Sequence, residues 1–511
     1  MQQTGRLDRA VESYAKAVEL DPSLDTARAQ LLHFKAQICD WSAYTDFKDV
    51  AETLGLAGEI VSPWPLLGFE DAPDRQRQRS AHYARQWQRT RHRFAPGLRK
   101  DRLRIGYFSS DLYDHATLSL MNGVFEHHDK ETFDVRVYGL NTPRQSTQSD
   151  RMKAAVSGFI DLHDAGDDNI ISKARADGLD IAIDLKGYTQ DARPGPFFAG
   201  LAPVQINYLG YPGTLGTGSY DYIIADETVI PEEHAGGYTE SVIYLPNSYQ
   251  PNDGKQTIAQ LPIRRADYGL PEDAVVLCCF NQSYKISPQE FDIWMRVLRR
   301  HPQTVLWLLG CNPWAQKNLC HEAEQRGVSA DRVIFAGREC PERHIARHRL
   351  ADLFLDTFNV NAHTTASEAL RAGLPVITRP GKQFAARVGA SLCVGVGLED
   401  LVATDDQQYE QIILDLAANP GRLMELRERL SRNLPSAPLF DTRTYTRHLE
   451  SGYRAAWERW QEGRAPSTIH VKTCIASGEM PASANKAQSA VRLPTRDAVC
   501  FRDRADCQNA V

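Results

Sequence analysis

Three short stretches bring together residue types that can meet an anion or move a proton, and each follows an apolar strand candidate. In Phe280-Asn281-Gln282-Ser283-Tyr284-Lys285 a lysine sits just ahead of a helix announced by Ser287-Pro288-Gln289-Glu290, a capping box with proline at the first helical position. A lysine held there suits a diphosphate, as a point charge that neutralises a leaving group, although a loop lysine can equally be a solvated cation. The second stretch runs from Asn359 to Glu368 and holds His363, Thr364 and Thr365. Thr365 with Glu368 three residues later is a capping-box pattern. Two readings are open: a plain helix cap, or an anion site in which the free amides and the helix dipole meet a phosphate, with His363 and the threonine hydroxyls as further donors. In the third, Ser109 to Thr117, His115 stands where the loop turns into a helix. A histidine there is a general base or a hydrogen-bond donor near neutral pH, or simply a cap.

What is missing narrows the chemistry. The chain has no G-x-x-x-x-G-K-[ST] phosphate loop and no G-x-G-x-x-G opening a helix after a strand, which disfavours an NTPase and a dinucleotide oxidoreductase. It has no Asp-x-Asp to hold a metal-bound nucleotide sugar, no H-E-x-x-H and no G-x-S-x-G. The expectation is chemistry without a metal or cofactor.

The elements that must position these loops alternate between strand and helix. One series of strand candidates is Leu103–Phe108, Phe133–Tyr138, Asp180–Leu185, Val204–Leu209 and Tyr220–Ala225. A second is Ala274–Phe280, Thr304–Leu309, Arg332–Phe335, Asp352–Asp356 and Pro375–Thr378. Such alternation predicts an α/β protein with two doubly wound, Rossmann-like lobes facing a cleft. The boundaries read as a helical region at 1–100, a first lobe at 101–255, a second lobe at 256–440, a helix at 441–465 that packs back on the lobes, and a disordered tail at 466–511. The Asn/Pro/Gly-rich stretch from Pro246 to Arg265 links the lobes, and Tyr445, Leu449, Tyr453, Trp457 and Trp460 line one face of the late helix. Near the start, Leu7, Ala10, Tyr14, Ala17 and Pro22 have the spacing of the second helix of a tetratricopeptide unit, whose repeat is about 34 residues. A truncated repeat array that binds protein partners and a single docked amphipathic helix both fit. The Arg/Gln/His-rich stretch from Arg75 to Arg93 reads as a solvated helix.

Composition sets outer bounds. The 511 residues carry 59 Lys+Arg against 65 Asp+Glu, a formal charge of −6, so a nucleic-acid partner is not expected. No apolar run approaches the roughly 18 residues of a membrane helix, and the start lacks a secretory pattern. The 10 cysteines include no C-x-x-C pair and are scattered, which reads as a reduced, cytoplasmic-type multidomain protein.

Taken together the blocks resemble the catalytic region of the O-linked N-acetylglucosamine transferase family, including its bacterial and Spindly-like members. The matching blocks are LRIGYFSSDLYDH (103–115), DLKGYTQDARP (184–194), PVQINYLGYPGTLG (203–216), DYIIAD (221–226), CFNQSYKI (279–286), LDTFNVNAHTTASEALRAGLPVITRPG (355–381) and ARVGASLC (386–393). The resemblance implies a GT-B glycosyltransferase with the nucleotide sugar on the second lobe, and metal-independent, inverting transfer of N-acetylglucosamine from UDP-N-acetylglucosamine to Ser/Thr of protein acceptors. Relatives that use GDP-fucose or UDP-glucose, and a non-catalytic sensing scaffold, are the alternatives. Carried over by residue, Lys285 stabilises the departing diphosphate and Gln282 contacts the nucleotide. His363, Thr364 and Thr365 grip the phosphates, Glu368 stands at the ribose, and His344 and Arg347 lie near the base and diphosphate. His115 is on the acceptor side of the sugar, and Pro212 and Gly213 are in the loop facing it. Pro341 and Asp180 replace a lysine and a histidine of animal members.

Overall fold

In the computed structural model, which describes residues 6–97, 100–260 and 262–473, the chain builds two parallel sheets. The first holds β1 (Leu103–Ser109), β2 (Phe133–Gly139), β3 (Gly158–Asp161), β4 (Ile181–Asp184), β5 (Val204–Asn207), β6 (Tyr222–Ala225) and β7 (Ser241–Tyr244). The second holds β8 (Val275–Cys279), β9 (Thr304–Leu309), β10 (Val333–Ala336), β11 (Leu353–Leu355) and β12 (Val376–Ile377). A last strand, β13 (Ile469–His470), returns to the edge of the first sheet beside β7. The orders are β13-β7-β6-β5-β4-β1-β2-β3 and β10-β9-β8-β11-β12. Strands covered by helices on both faces must be apolar nearly throughout, which is why β6 and β8 read as continuous apolar runs.

Two expectations are corrected at the ends of the chain. The stretch after 466 is not uniformly unstructured: Ile469 and His470 pair in parallel with Ile243 and Tyr244, and the His470 ring stacks on Tyr244. The remainder of that expected tail, 474–511, lies outside the described residues. The Arg/Gln/His-rich helix Pro73–Ala84 is not solvated all round, since Gln76, Arg79, Ser80 and His82 are buried. The Arg79 side chain is 4% exposed and pairs with Glu70 while donating to the carbonyls of Leu54 and Ala51. A buried cation satisfied on every side is expensive to remove. Arg79→Ala is expected to lower the unfolding free energy by about 3–5 kcal/mol, read as an earlier urea or thermal transition.

The first helices form an antiparallel pair, Leu7–Leu20 on Asp25–Gln37, with Tyr14 stacked on Phe34 at 5.6 Å. The pair packs on the second sheet's loops. Gln37 O accepts from Ser283 Oγ (2.6 Å) and Asn312 Nδ2 (2.9 Å), and Trp41 Nε1 donates to Ile286 O (3.1 Å). The helical start thus supports the loop that carries Lys285. At the other end, helix Thr442–Gln461 lies on the first sheet, with Tyr445 and Tyr453 hydroxyls bonded to those of Tyr208 (2.5 Å) and Tyr107 (3.1 Å). Among the described residues no helix is long and apolar enough to cross a membrane.

Candidate active site

In an open parallel sheet, ligands bind beyond the carboxyl ends of the strands where the strand order reverses. The second sheet reverses between β8 and β11, and the first between β1 and β4. The loops after these strands are the ones that carry the candidate residues.

After β8 the chain makes a short 3-10 turn, Ser283–Lys285, before the capping box of Ser287 and Glu290 starts the helix Pro288–Arg300 as expected. Gln282 is exposed at the head of that turn. Lys285 Nζ donates to Asn361 O at 2.8 Å. Burial pushes its ammonium down to about 8, partly offset by the nearby Asp356 carboxylate. Asp356, the first residue past β11, is itself pushed up to about 7 by burial. It accepts from the amides of Thr357 (2.9 Å) and Ala362 (2.6 Å) and from Thr378 Oγ1 (2.7 Å), which folds the loop 356–362 back on itself. Asn281 Nδ2, on the β8 side, donates to Thr357 Oγ1 at 2.8 Å and ties the two loops together.

The helix that follows is Thr364–Arg371, and its start differs from the capping box expected at Thr365. His363 is the residue before the first turn, and it makes no side-chain cap; Glu368 turns away toward His344 instead, at 3.6 Å. The first backbone bond of the helix runs from Ser367 N to His363 O, so the amides of Thr364, Thr365 and Ala366 have no acceptor within the helix. His363 is held neutral, its imidazolium pushed down to about 3 by burial and by Lys285. Its Nε2 lies 3.4 Å from Ala385 O, so the ring's N–H is directed there and Nδ1 remains an acceptor, not the extra donor expected.

One turn along, His344, Arg347 and Glu368 form a second cluster. Arg347 is fully buried, with its guanidinium 4.6 Å above the Phe280 ring and donating to Gly337 O and, at 2.6 Å, to His344 Nδ1. It therefore acts on the ring of His344 and offers no free surface to a diphosphate. Burial and Arg347 push the His344 imidazolium down to about 4, so the ring is neutral with Nε2–H facing Glu368. Burial raises the Glu368 carboxyl to about 7.

On the first sheet, His115 caps the helix Ala116–His127, its Nδ1 accepting from Thr117 N at 3.2 Å. Beside it Lys186 Nζ meets Asp111 Oδ2 at 2.6 Å. Pro212 and Gly213 are buried: Pro212 O accepts from Gln76 Nε2 at 3.4 Å, and a Cβ on Gly213 would come within 2.3 Å of that same atom. The pair is packed against the helix Pro73–Ala84 and presents no open face to a sugar. Asp180 sits at the amino end of β4, bonded to Lys100 Nζ (2.6 Å) and Arg104 N (2.9 Å), at the wrong end of the sheet for a ligand. Pro341 is exposed at the first position of helix Pro341–Arg347.

Sequence reasoning missed Asp356, Asn361, Asp111 and Lys186 as members of these clusters. Their signal was position: each lies within a few residues of the end of a strand that borders a reversal point. The second-lobe arrangement, a cation beside open helix amides, can receive a multiply charged anion.

Residues 84–264 and 260–449 match the model of glycosyl transferase family 41, well over half of the chain. The chain belongs to this family. It is 36% identical over 376 residues to the probable UDP-N-acetylglucosamine–peptide N-acetylglucosaminyltransferase SEC of Arabidopsis thaliana, a match that covers 72% of this chain and 38% of that protein. It is 27% identical over 474 residues to the UDP-N-acetylglucosamine–peptide N-acetylglucosaminyltransferase of Caenorhabditis elegans, covering 71% of this chain and 41% of the other. The family-41 chain thus spans less than half the length of these curated relatives. Among solved structures, a mutant of the O-GlcNAc transferase from Thermobaculum terrenum superposes with a TM-score of 0.77 at 27% identity, covering 90% of this chain and 89% of that one. The two doubly wound sheets of this family-41 chain are the GT-B architecture expected from its sequence.

Proposed function

We propose that the chain moves N-acetylglucosamine from UDP-N-acetylglucosamine to serine or threonine hydroxyls of proteins, with inversion and without a metal ion. The observation that carries this reading is Lys285, bonded to Asn361 O in the loop that leads into the open amides of Thr364 and Thr365 at the second sheet's reversal point, in a chain of glycosyl transferase family 41. The acceptor oxygen attacks the anomeric carbon as the bond to the diphosphate breaks, and the charge that grows on the diphosphate is met by Lys285 and the helix start. Groups fixed in place before the reaction cost no reorganisation when that charge appears, which makes this the main electrostatic contribution. Glu368, with Nε2–H of His344 beside it, is the carboxylate we assign to the ribose hydroxyls, and Gln282 borders the nucleotide. The names of the relatives from Arabidopsis thaliana and Caenorhabditis elegans support the donor and the peptide acceptor.

A proton balance follows from Lys285. Its ammonium is lowered to about 8, so above that pH the free protein carries it largely neutral, whereas a bound diphosphate favours the charged form. UDP binding is expected to take up a proton above pH 8 and none well below it. Calorimetry in buffers of different ionisation enthalpy reads this directly, and Lys285→Ala should remove the uptake.

The transfer itself is tested by incubating the chain with a mixture of protein acceptors and each of UDP-N-acetylglucosamine, UDP-glucose and GDP-fucose, and weighing the products. An added N-acetylhexosamine on serine or threonine supports the reading. A hexose or deoxyhexose would reassign the donor, and binding without any product would make the chain a sensor.

A further inference from the structure

The first sheet's reversal point carries a lysine–carboxylate pair that no part of the donor site uses. Asp111 lies two residues past β1 and Lys186 two past β4, so their ion pair spans the crevice between the strands that flank the reversal, as the bond from Lys285 to Asn361 O does in the second sheet. Both backbones are pinned: Asp111 N donates to Ser109 Oγ (3.0 Å) and Lys186 N to Asp184 Oδ1 (2.8 Å). Lys186 is nearly buried, its side chain 5% exposed, while that of Asp111 keeps 13%.

His115, expected from sequence as the best-placed base, is oriented otherwise. Its Nδ1 lone pair accepts from Thr117 N, so in the neutral ring the proton is on Nε2, and the ring presents a donor. The buried carboxylates along this edge are occupied, whereas Asp114 and Asp191, in the same two loops, are exposed. Asp184 takes Lys186 N, Gly187 N and Tyr220 OH, and Asp226 takes Thr228 N, Val229 N, Tyr249 N and Ser391 Oγ. Glu240 takes Leu215 N and the hydroxyls of Thr214 and Thr239. Asp111, 3.7 Å from His115 Nδ1, is the one that keeps some exposure and is also held in place by an ion pair.

We infer that Asp111 is the carboxylate that receives the proton of the attacking acceptor hydroxyl, with Lys186 as the residue that positions it. This rests on the transfer reading above. As the acceptor oxygen bonds to the anomeric carbon, the bond from that carbon to the diphosphate oxygen breaks and its electron pair leaves on the nucleoside diphosphate. The hydroxyl proton passes to Asp111. An oxygen already forming a bond to carbon is strongly acidic, so an ion-paired carboxylate is basic enough to take its proton.

The test uses the full chain with UDP-N-acetylglucosamine and the protein acceptor labelled in the mass experiment. Asp111→Asn is expected to lower kcat by about 100-fold or more, the usual range for losing a general base, with UDP affinity and donor KM unchanged. Formate added to Asp111→Gly should restore part of kcat, and Lys186→Arg should retain more activity than Lys186→Met. Wild-type kcat in Asp111→Asn would overturn the inference, and so would a loss that formate does not restore and that comes with weakened UDP binding. Failure of the transfer reading is seen separately, as absence of turnover in the wild-type chain.

Discussion

Lys285→Ala is expected to cut sugar transfer by about 100- to 1,000-fold in kcat, the range for removing one preorganised charge-stabilising group, while the fold persists. The loss is large because nothing else in the loop substitutes. Gln282 is neutral and exposed, His363 is held uncharged, and Arg347 is buried under His344 and Phe280. The fold survives because the lysine's charged neighbour tolerates its absence. Asp356 is raised to about 7 and keeps its bonds from Thr357 N, Ala362 N and Thr378 Oγ1. Steady-state rates with the donor, beside circular dichroism and a thermal midpoint, measure both halves. A variant that turns over normally would remove Lys285 from the chemistry.

Gly389→Ala is expected to damage the same site from behind. A Cβ at that position would fall 2.1 Å from Asp356 Oδ2 and 2.6 Å from Thr378 Oγ1, which are bonded to each other and hold the carboxylate whose other oxygen closes the 356–362 loop. Gly389 N also donates to Asn361 Oδ1 (3.1 Å), and Asn361 O is the acceptor of Lys285. The core here has no room to yield, so the cost is about 1–3 kcal/mol of stability, typical of overpacking. It is joined by weaker UDP binding, as the loop carries Asn361 away from Lys285. An unshifted thermal midpoint with normal UDP affinity would mean that the loop adapts freely.

Ten of the strands were legible, most plainly those that, buried on both faces, leave an apolar run such as β6 and β8. Of the three that were not, β3 is an only half-buried edge, GFID, and β13 is a two-residue strand at the other edge. The site was legible to the extent that a strand–loop–helix sequence gives the end of the sheet a residue faces. Lys285, Thr364 and Thr365 fall there. Pairings across the reversal points were not legible, because Lys285 meets Asn361 76 residues away and Lys186 meets Asp111 75 residues away, through strand order alone. The cover on Pro212 and Gly213 came from a helix 136 residues earlier in the chain, which no local pattern near 212 announces. Thr365 and Glu368 carry the capping pattern, yet the helix starts two residues sooner, with His363 in place of Thr365 before its first turn, and Glu368 is drawn to His344.

The most direct measurement is calorimetric binding of UDP and of GDP, with a chelator present, to the wild-type chain and to Lys285→Ala. Tight binding of UDP without metal, weak binding of GDP, and a clear loss of UDP affinity in the variant are the expected results. Binding that needs a metal, a preference for GDP, or UDP affinity indifferent to Lys285 would contradict a UDP-sugar transferase that works through this lysine.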